Sequence, residues 1–392
     1  MIRLGVVGFG YRISGLINSV MQSIAPDLHV VGIVDPNEQS ARTRLADCDK
    51  ENGVFYKNLK EMVSKAKLDA IAIGTRCRLH TPIAIEAAQY GLPIFLEKPV
   101  SVTMKQATDL EKAFEKSRSP VVVSFPLRVS PLCMLTRQYI EEGAVGSPEH
   151  ILGVNYVPYG TVYFDKFYRD YESTQGLFLQ KATHDLDYMS YLMGSNIVRV
   201  GAMWTRGRVF GGKKKAGLTC SKCREAKTCL ESPENRQHNM SGGVSEDHWC
   251  VYGVDCGNPQ EGMNEDSSSA LLEFASGVHG VYTQVFYSRR DSGQRGSTIS
   301  GYQGTVSFDW FKNELRRVRH HAPFSDTIKA DGNMPHFGGD LELARNFINV
   351  INGTEKSKTP ISAGIQSAYA CLAANEAAMK GKLVKVRQVG QS

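Results

Sequence analysis

The sequence predicts an α/β protein of two domains, the first of which holds a doubly wound parallel sheet. Two observations support this. Apolar runs typical of strands alternate with helical patterns over the first third of the chain, and the first run ends in the glycine turn Gly8–Phe9–Gly10. Strands that alternate with helices pair in parallel. A chain of 392 residues exceeds what one core usually serves, so we expect domains at 1–126 and 127–392.

The first domain is predicted to contain strands that are short apolar runs, each bounded by turn residues or charges. Their bounds are Ile2–Val7, Leu28–Val34, Val54–Tyr56, Ala70–Ile73, Pro93–Leu96 and Val121–Phe125. Helical patterns lie between these strands. They run from the glycine turn to about Ser23, over Leu59–Lys67 and Thr81–Tyr90, and from the capping sequence Thr103–Met104–Lys105–Gln106 to about Ser117.

The second domain is predicted to be richer in strands. Helices are expected over Leu177–Met193, Gly339–Ile351 and Ala363–Lys380. The predicted strands are Ile151–Val157, Val198–Thr205, a hairpin of Ser268–Phe274 and Val278–Tyr287, and short runs at Ser297–Ser300, Thr305–Asp309 and Glu314–Arg319.

Composition and charge exclude several classes of protein. The net charge is +6 without a long basic run or an arginine–aromatic repeat, which argues against nucleic-acid binding and gives weak support for an anionic ligand. No apolar stretch approaches the roughly 18 residues of a membrane span. Met1 leads directly into the first predicted strand, which leaves no room for a signal peptide, so we expect a cytoplasmic protein without a membrane partner.

The glycine turn is typical of a dinucleotide site. Gly8 permits a tight turn, and Gly10 lets a pyrophosphate approach the backbone at a helix N-terminus. Ile13 replaces the third glycine of the usual fingerprint, so the turn alone is weak support. Asp35 ends the second strand, where a carboxylate would bind an adenine ribose and repel a 2′-phosphate. No arginine follows it directly, so the pattern favours NAD over NADP.

A further candidate lies at the end of the fifth strand, in Glu97–Lys98–Pro99. In an open α/β sheet the ligand lies at the carboxyl ends of the strands, so a lysine there points toward whatever the sheet binds. Pro99 restricts Lys98 to extended backbone and makes a cis peptide bond accessible. The alternative is a surface lysine in a turn, which the dinucleotide signals upstream disfavour.

Taken together, these residues resemble those of the glucose–fructose oxidoreductase, inositol dehydrogenase and MocA (Gfo/Idh/MocA) family. The resemblance covers nearly the whole chain apart from about 206–251. It implies an N-terminal Rossmann NAD-binding domain and a C-terminal α/β domain, with an open, largely antiparallel sheet, for substrate binding and oligomerisation as a homodimer or homotetramer. The shared landmarks are Gly8–Phe9–Gly10, Asp35, Gly74–Thr75 with His80, Glu97–Lys98–Pro99, Phe125 with Arg128 and Ser130–Pro131, and His184 with Asp187.

The resemblance also implies roles for single residues and a small carbohydrate or polyol as the substrate. An aromatic run suits the C–H faces of a sugar ring, with core packing as an equal alternative. That run comprises Tyr156, Tyr159, Tyr163, Phe164, Phe167, Tyr168 and Tyr171. The residues implied to bind the cofactor are Gly8, Phe9, Gly10, Tyr11, Arg12, Ile13, Asp35, Gly74, Thr75, His80, Glu97, Lys98 and Arg128.

His184 is the second catalytic candidate. In many relatives an aspartate four residues earlier shares the substrate proton with this histidine, but here that position is Gln180, which cannot take a proton. The titratable candidates are therefore Lys98, His184 and, third, Lys181, and an imidazole suits general-base work near neutral pH. Helical spacing would pair Lys181 with Asp185, which is the structural interpretation. The functional interpretation is that Lys181 binds an anionic group of the substrate.

A segment of about 206–256 interrupts the resemblance. It is rich in glycine and lysine and lacks a regular period, so a long loop or small appendage is expected. Its cysteine spacing fits a tetrahedral thiolate zinc site, and a metal would explain how so little apolar content stays ordered. Reduced thiols and an iron–sulfur cluster are the alternatives. The preferred zinc ligands are Cys220, Cys223, Cys229 and Cys250, with Cys256 as the other candidate.

The function that these patterns favour is an NAD-dependent oxidoreductase acting on a CHOH group of a sugar, sugar derivative or polyol. Lys98 would bond and polarise the reacting hydroxyl, and His184 would accept its proton, with hydride transfer to nicotinamide C4. A second hypothesis is an NAD-dependent glycoside hydrolase, which works by transient oxidation, elimination, hydration and re-reduction, with anionic sugars among its candidate substrates. A third is a non-catalytic cofactor-binding regulator, against which the intact Lys98 and His184 argue.

Overall fold

A computed structural model describes residues 1–238, 248–253, 262–330 and 335–391 of the chain. The chain divides into two compact units. The first comprises Met1–Met134, Asn333–Tyr369 and Gln388–Ser392, and the second comprises Leu135–Gly332 and Ala370–Arg387. Within the described residues, no helix is long and apolar enough to cross a lipid bilayer.

The first unit is built on a parallel sheet. Its described strands are β1 Ile2–Val7, β2 Leu28–Val34, β3 Val54–Phe55, β4 Ala70–Ile73, β5 Ile94–Leu96 and β6 Val121–Val123. They lie in the order β3–β2–β1–β4–β5–β6, and every pairing is parallel. The carboxyl ends of β1, β4 and β5 are therefore neighbours at the edge where such sheets bind ligands. The predicted doubly wound sheet is confirmed.

The helices predicted in the first domain are present, although Cys77–Ala87 stands where Thr81–Tyr90 was predicted, and the short helix Glu38–Arg42 was not predicted. Thr103 accepts a hydrogen bond from the Gln106 backbone N–H at 3.1 Å, as its capping sequence predicts. In chain order the helices are α1 Tyr11–Leu16, α2 Gln22–Ile24, α3 Glu38–Arg42, α4 Leu59–Ala66, α5 Cys77–Ala87, α6 Met104–Glu115, α7 Pro131–Glu141, α8 Val162–Asp165, α9 Tyr171–Thr174, α10 Leu177–Gln180, α11 Thr183–Met193, α12 Pro233–His238, α13 Gly339–Ile351 and α14 Ile361–Lys380.

The core of the first unit joins its sheet to the late helix α13. Apolar residues on one face of α13, including Leu343 and Phe347, pack with residues of β1 and β2, as an amphipathic helix does on a sheet. The rings of Phe95 and Phe347 meet edge to face with centroids 5.5 Å apart. The first unit therefore draws on late residues of the chain as well as on its N-terminal third.

The second unit is built on a largely antiparallel sheet. Its described strands are β7 His150–Tyr156, β8 Ile197–Thr205, β9 Ser267–Phe274, β10 His279–Val285, β11 Gln294–Ser300, β12 Gly304–Asp309, β13 Glu314–Arg319, β14 Ser325–Lys329 and β15 Val384–Lys385. Their order is β14–β13–β12–β11–β7–β10–β9–β8–β15, and among them the β7–β10 pairing alone is parallel. The predicted α/β unit with an open, largely antiparallel sheet is confirmed. Strands β14 and β15 lack the apolar runs that would have identified them.

The predicted single helix over Leu177–Met193 is wrong, because the structure has two helices there. The backbone N–H groups of Lys181 and Ala182 both donate to the Leu177 carbonyl, at 2.9 and 3.0 Å, so the hydrogen-bond pattern slips between α10 and α11. Residues on either side of the slip no longer keep the helical spacing that would pair Lys181 with Asp185.

Candidate active-site residues of the two units

The carboxyl end of β1 is a tight turn with space beside it. Gly8 has a φ of +79°, and a Cβ there would lie 2.8 Å from backbone atoms of Thr75. A Cβ on Gly74 would lie 2.6 Å from the Cβ of Ile13, so the close approach here needs a glycine directly after β4 and not at the third fingerprint position. A Cβ on Gly10, the N-cap of α1, would meet nothing within 4 Å. This open cradle at a helix N-terminus fits a dinucleotide pyrophosphate.

Asp35, after β2, fixes the glycine turn. Its Oδ2 and Oδ1 accept hydrogen bonds at 2.8 Å from the backbone N–H groups of Phe9 and Asn37. Arg44, which sequence reasoning missed, donates from Nε to the Phe9 carbonyl at 2.7 Å, and its guanidinium lies 5.0 Å from the Tyr11 ring centroid. The glycine turn that Asp35 binds therefore also contacts a cation, which lies in the turn after α3 and not directly after Asp35.

Arg12, on the first turn of α1, is held by two carboxylates. Its Nη1 and Nη2 donate to Asp340 at 2.7 and 2.6 Å, and its Nε lies 3.4 Å from Glu97 Oε1. His336 Nδ1 lies 2.9 Å from Asp340 Oδ2. Burial acts to raise the pKa of Asp340, but hydrogen bonds from Arg12 and His336 outweigh it and hold the pKa well below its usual range. No local pattern connects residues so far apart in sequence, so Asp340 and His336 were missed.

Lys98 follows β5 at the same sheet edge, with a half-buried side chain and a cis peptide bond to Pro99. His80 lies buried behind it. Its two ring nitrogens are 2.8 Å from the Pro99 carbonyl oxygen and 2.9 Å from that of Thr75, and burial lowers its pKa. His80 therefore ties the ends of β4 and β5 together through their backbones.

The structure gathers nearly all of the predicted cofactor residues at one edge of this sheet. Tyr11 points to solvent and is 83% exposed. Arg128 follows β6, and its Nη1 lies 3.5 Å from the Lys358 carbonyl oxygen. The residues at the ends of β1, β2, β4 and β5 are Gly8, Phe9, Gly10, Arg12, Ile13, Asp35, Gly74, Thr75, Glu97 and Lys98.

In the second unit, Asp185 of α11 is the centre of a buried network. Its Oδ1 and Oδ2 accept from Nε and Nη2 of Arg295 at 3.0 and 2.9 Å. Its Oδ2 also accepts from Asn155 Nδ2 at 3.0 Å and Tyr282 Oη at 2.9 Å. Burial acts to lower the pKa of Arg295, but Asp185 outweighs it and raises the pKa. Three strands, β7, β10 and β11, therefore supply the partners of Asp185.

Lys181 lies at the slip between α10 and α11 and is 5% exposed. Its Nζ donates to Tyr159 Oη at 2.8 Å and lies 4.9 and 5.8 Å from the ring centroids of Tyr159 and Tyr163. Burial lowers the pKa of this amine well below its usual value, and the charge of Arg295 lowers it further. The predicted pairing of Lys181 with Asp185 is wrong, because the Asp185 carboxylate is bound by Arg295.

His184 and Gln180 are also buried, with His184 6% exposed on the first turn of α11. The aromatic run divides between two environments. Tyr163 and Phe164 pack into a core with Phe286, which supports core packing for them, whereas Tyr159 is 37% exposed.

The first residues of the insertion, from Arg206 to Phe210, are anchored by side-chain contacts. Arg206 and Glu265 form a buried ion pair at 3.0 Å. Asp266 accepts hydrogen bonds from the backbone N–H groups of residues 208–210 at 2.8 to 3.1 Å, and the Phe210 ring enters an apolar core. These contacts hold residues 206–210 in place, and the part of a metal in ordering the rest of the segment stays a prediction.

The thiols predicted to bind zinc lie in this insertion but do not meet at ligand distance. An antiparallel bridge between Thr219 and Trp249 brings their neighbours Cys220 and Cys250 onto adjacent segments. Among the described residues, three or more ligand atoms of His, Cys, Asp or Glu lie within 4.8 Å of one another only at His29, Cys48 and Asp49. Cys256 lies outside the described residues. The zinc site at Cys220, Cys223, Cys229 and Cys250 therefore stays a prediction.

Family models match most of the chain. Residues 2–125 match the oxidoreductase family model described as an NAD-binding Rossmann fold. Residues 134–307 match the model of the GFO/IDH/MocA C-terminal domain. The two matches cover both the parallel sheet and the larger part of the antiparallel one.

Individual relatives are distant in sequence. The oxidoreductase YteT of Bacillus subtilis is 23% identical over 77% of this chain and 75% of its own length. The scyllo-inositol 2-dehydrogenase (NAD(+)) of B. subtilis is 24% identical over 51% of this chain and 56% of its own, so the match spans little more than half of that relative.

Solved structures share the fold. Levoglucosan dehydrogenase, in complex with NADH and levoglucosan, has a TM-score of 0.75 at 18% identity, covering 99% of this chain and 100% of that one. An NAD-binding oxidoreductase from Klebsiella pneumoniae has a TM-score of 0.73 at 20% identity, with 99% of each chain covered.

Proposed function

The chain belongs to the Gfo/Idh/MocA family of NAD-binding oxidoreductases, and from that premise we propose that it acts on a CHOH group of a sugar, sugar derivative or polyol. NAD, when bound, exchanges hydride at nicotinamide C4. The observation that carries the proposal is that Lys98 follows β5 at the sheet edge that also holds the glycine turn after β1. Relatives named as inositol and levoglucosan dehydrogenases support a polyhydroxy substrate.

In this proposal the protein positions the reactants and handles the proton. Lys98 donates a hydrogen bond to the reacting hydroxyl and polarises it, and His184 accepts the hydroxyl proton. His184 lies on the same helix as Asp185, whose ties to three strands make that helix a rigid support. Lys181 is the third candidate, either to accept the proton or to bind the substrate.

The cofactor is proposed to be NAD in preference to NADP. The Asp35 carboxylate is fixed by two backbone N–H groups and would repel a 2′-phosphate. We expect a preference of at least about tenfold, or about 1.4 kcal/mol, in a calorimetric titration of both cofactors. Equal affinities would contradict the proposal, and Arg44 would then be the first residue to replace.

A screen of sugars, polyols and aryl glycosides tests the reaction. NADH absorbance and aglycone release are followed together with purified protein and NAD. NADH formation from a free sugar or polyol supports the dehydrogenase. Aglycone release without net NADH supports the second candidate, an NAD-dependent glycosidase, which the replacement of an aspartate by Gln180 favours.

A structural zinc ion in the insertion is a separate proposal, supported by the Cys-x-x-Cys spacing and by the bridge between Thr219 and Trp249. The ligand thiols would have to move closer when the ion binds. Elemental analysis of protein purified without added metal should give about one zinc per chain. An analysis that finds neither zinc nor iron would overturn the proposal. The proposed ligands are Cys220, Cys223, Cys229 and Cys250.

A homodimer or homotetramer is also proposed, formed through the outer face of the antiparallel sheet. The register places Leu152, Val281 and Leu271 in one row across β7, β10 and β9, and two of these side chains are exposed. Exposed apolar rows of this kind typically mark protein interfaces. Light scattering that gives the mass of one chain would contradict the proposal.

A further inference from the structure

Lys181 is a buried amine to which no carboxylate of the described residues is bonded. Its side chain is at the slip between two helices, and among the described residues its one hydrogen-bond partner is Tyr159 Oη, at 2.8 Å. An ammonium group carries three donors, so two remain for another acceptor. The faces of Tyr159 and Tyr163 lie against it and give only partial compensation for its charge.

Asp185, the carboxylate whose charge acts on Lys181, is already bonded to other groups. Asp185 receives two hydrogen bonds from Arg295, one from Asn155 and one from Tyr282, all between 2.9 and 3.0 Å. A carboxylate offers about four acceptor positions, so Asp185 has none left for Lys181. The charge of Asp185 raises the pKa of Lys181 less than the charge of Arg295 lowers it, so a protonated Lys181 has no bonded counter-ion among the described residues.

This arrangement would be costly if it served only stability. A buried charge needs a partner, and a lysine without one loses its proton more easily. A neutral substrate hydroxyl could be bound by an amide or hydroxyl side chain at no such cost. A lysine beside an exposed tyrosine is better explained by a charge that arrives from outside with the ligand.

We propose that Lys181, with Tyr159, receives an anionic oxygen group of the substrate, a carboxylate or a phosphate, and takes up a proton as that group binds. The inference rests on the proposed oxidoreductase function and adds the substrate class. The charged and titratable groups that face Lys181 are Tyr159, Tyr163, Arg295 and Asp185. A bound anion next to them would favour the protonated amine.

The kinetic test compares neutral and anionic members of matched pairs. D-Glucose is compared with D-glucuronate and D-glucose 6-phosphate, using NAD and the native chain, Lys181→Met and Lys181→Arg. We expect a KM at least about tenfold lower for an anionic member, a loss of that preference in Lys181→Met, and partial retention in Lys181→Arg. Added salt should lower kcat/KM for the anionic member because steering is screened. An active enzyme that prefers the neutral member of every pair would overturn the inference.

A binding test does not depend on turnover. Sulfate, which does not titrate near neutral pH, is bound to the NAD complex by calorimetry in two buffers of different ionisation enthalpy. The native chain should take up protons with sulfate, Lys181→Met should not, and Tyr159→Phe should bind more weakly while still taking up protons. Sulfate binding that is equal in Lys181→Met, or occurs without proton uptake, would overturn the inference.

The two tests separate this inference from the proposed function. NADH formation with no Lys181-dependent sulfate binding would leave the oxidoreductase standing and remove the anionic substrate. Lys181-dependent sulfate uptake without NADH formation from any sugar or polyol would support the anion site and remove the proposed reaction.

Discussion

Lys98 and Lys181 are two lysines in candidate active-site positions, and their surroundings are opposite. Lys98 is half-buried at the end of a strand. The Glu97 backbone N–H before it donates to the Ile73 carbonyl, and the Pro99 carbonyl after it contacts His80. Lys181 is buried at an interruption between two helices, and its amine lies against the rings of Tyr159 and Tyr163. The first lysine is placed by local sequence and the second by tertiary packing. Their likeness in residue type therefore says little about their roles.

The largest effect is expected from Asp185, which separates the two interpretations of Lys181. Asp185→Asn should destabilise the protein by about 3–5 kcal/mol, because it leaves Arg295 buried without its carboxylate. Denaturant unfolding measures this. The matched control is Glu273→Gln, which breaks an ion pair with Arg199 on the same sheet. There both side chains are more than a third exposed, so we expect less than about 1 kcal/mol.

The same experiment on Lys181→Met sharpens the contrast. If Lys181 were the partner of Asp185, this substitution would destabilise as strongly as Asp185→Asn. Because Arg295 holds the carboxylate, we expect Lys181→Met to be neutral or stabilising near neutral pH. A large loss of stability in Lys181→Met would contradict the geometry described for this network.

The next largest effect is expected at Lys98. Lys98→Ala should lower turnover by about a hundredfold or more while NAD still binds, because a positioned proton-handling group contributes roughly that much. Initial rates and a cofactor titration measure the two quantities. Lys105→Ala is the control, since the Lys105 side chain is 85% exposed and bonds only Asp109 on its own helix. Comparable losses in both variants would remove the special role of Lys98.

His184 belongs with Lys98 in this comparison, although it lies in the other unit. His184→Ala should also reduce turnover by about a hundredfold if the imidazole accepts the proton. The native rate should fall at low pH as the imidazole becomes protonated, and the variant should lose that limb of the profile. Turnover near the native level between about pH 6 and 9 would show that another group accepts the proton.

The parts of the molecule that sequence could predict are those set by neighbouring residues. The β1 strand with its glycine turn, Asp35 after β2, and Lys98 before a proline are local patterns, and the structure has all of them. Arg12 with Asp340 and Asp185 with Arg295 join residues that are distant in the chain, so periodicity carries no sign of them. The slip between α10 and α11 was also hidden, because its residues suit one continuous helix.

The smallest expected effect is the part of the pH dependence of the free energy of unfolding that Lys181 contributes. Burial and the charge of Arg295 lower the pKa of Lys181 in the folded protein, whereas the unfolded chain should have a pKa of about 10.4. Between those two values the unfolded chain binds more protons, so stability rises with pH through that interval. The penalty for burying the charge is complete below the folded pKa and disappears as pH approaches the unfolded value.

Lys181→Met has no such group, so the difference in free energy of unfolding between the two proteins should change with pH. The variant should gain most at pH values below the folded pKa of Lys181, and its advantage should shrink as pH rises toward about 10.4. Tyr163, whose pKa burial raises well above its usual value, is present in both proteins and cancels in the difference. Parallel stability curves for the two proteins would mean that Lys181 keeps its ordinary pKa. Lys181 would then resemble Lys98 as an ordinarily charged lysine, and the contrast between the two would rest on position alone.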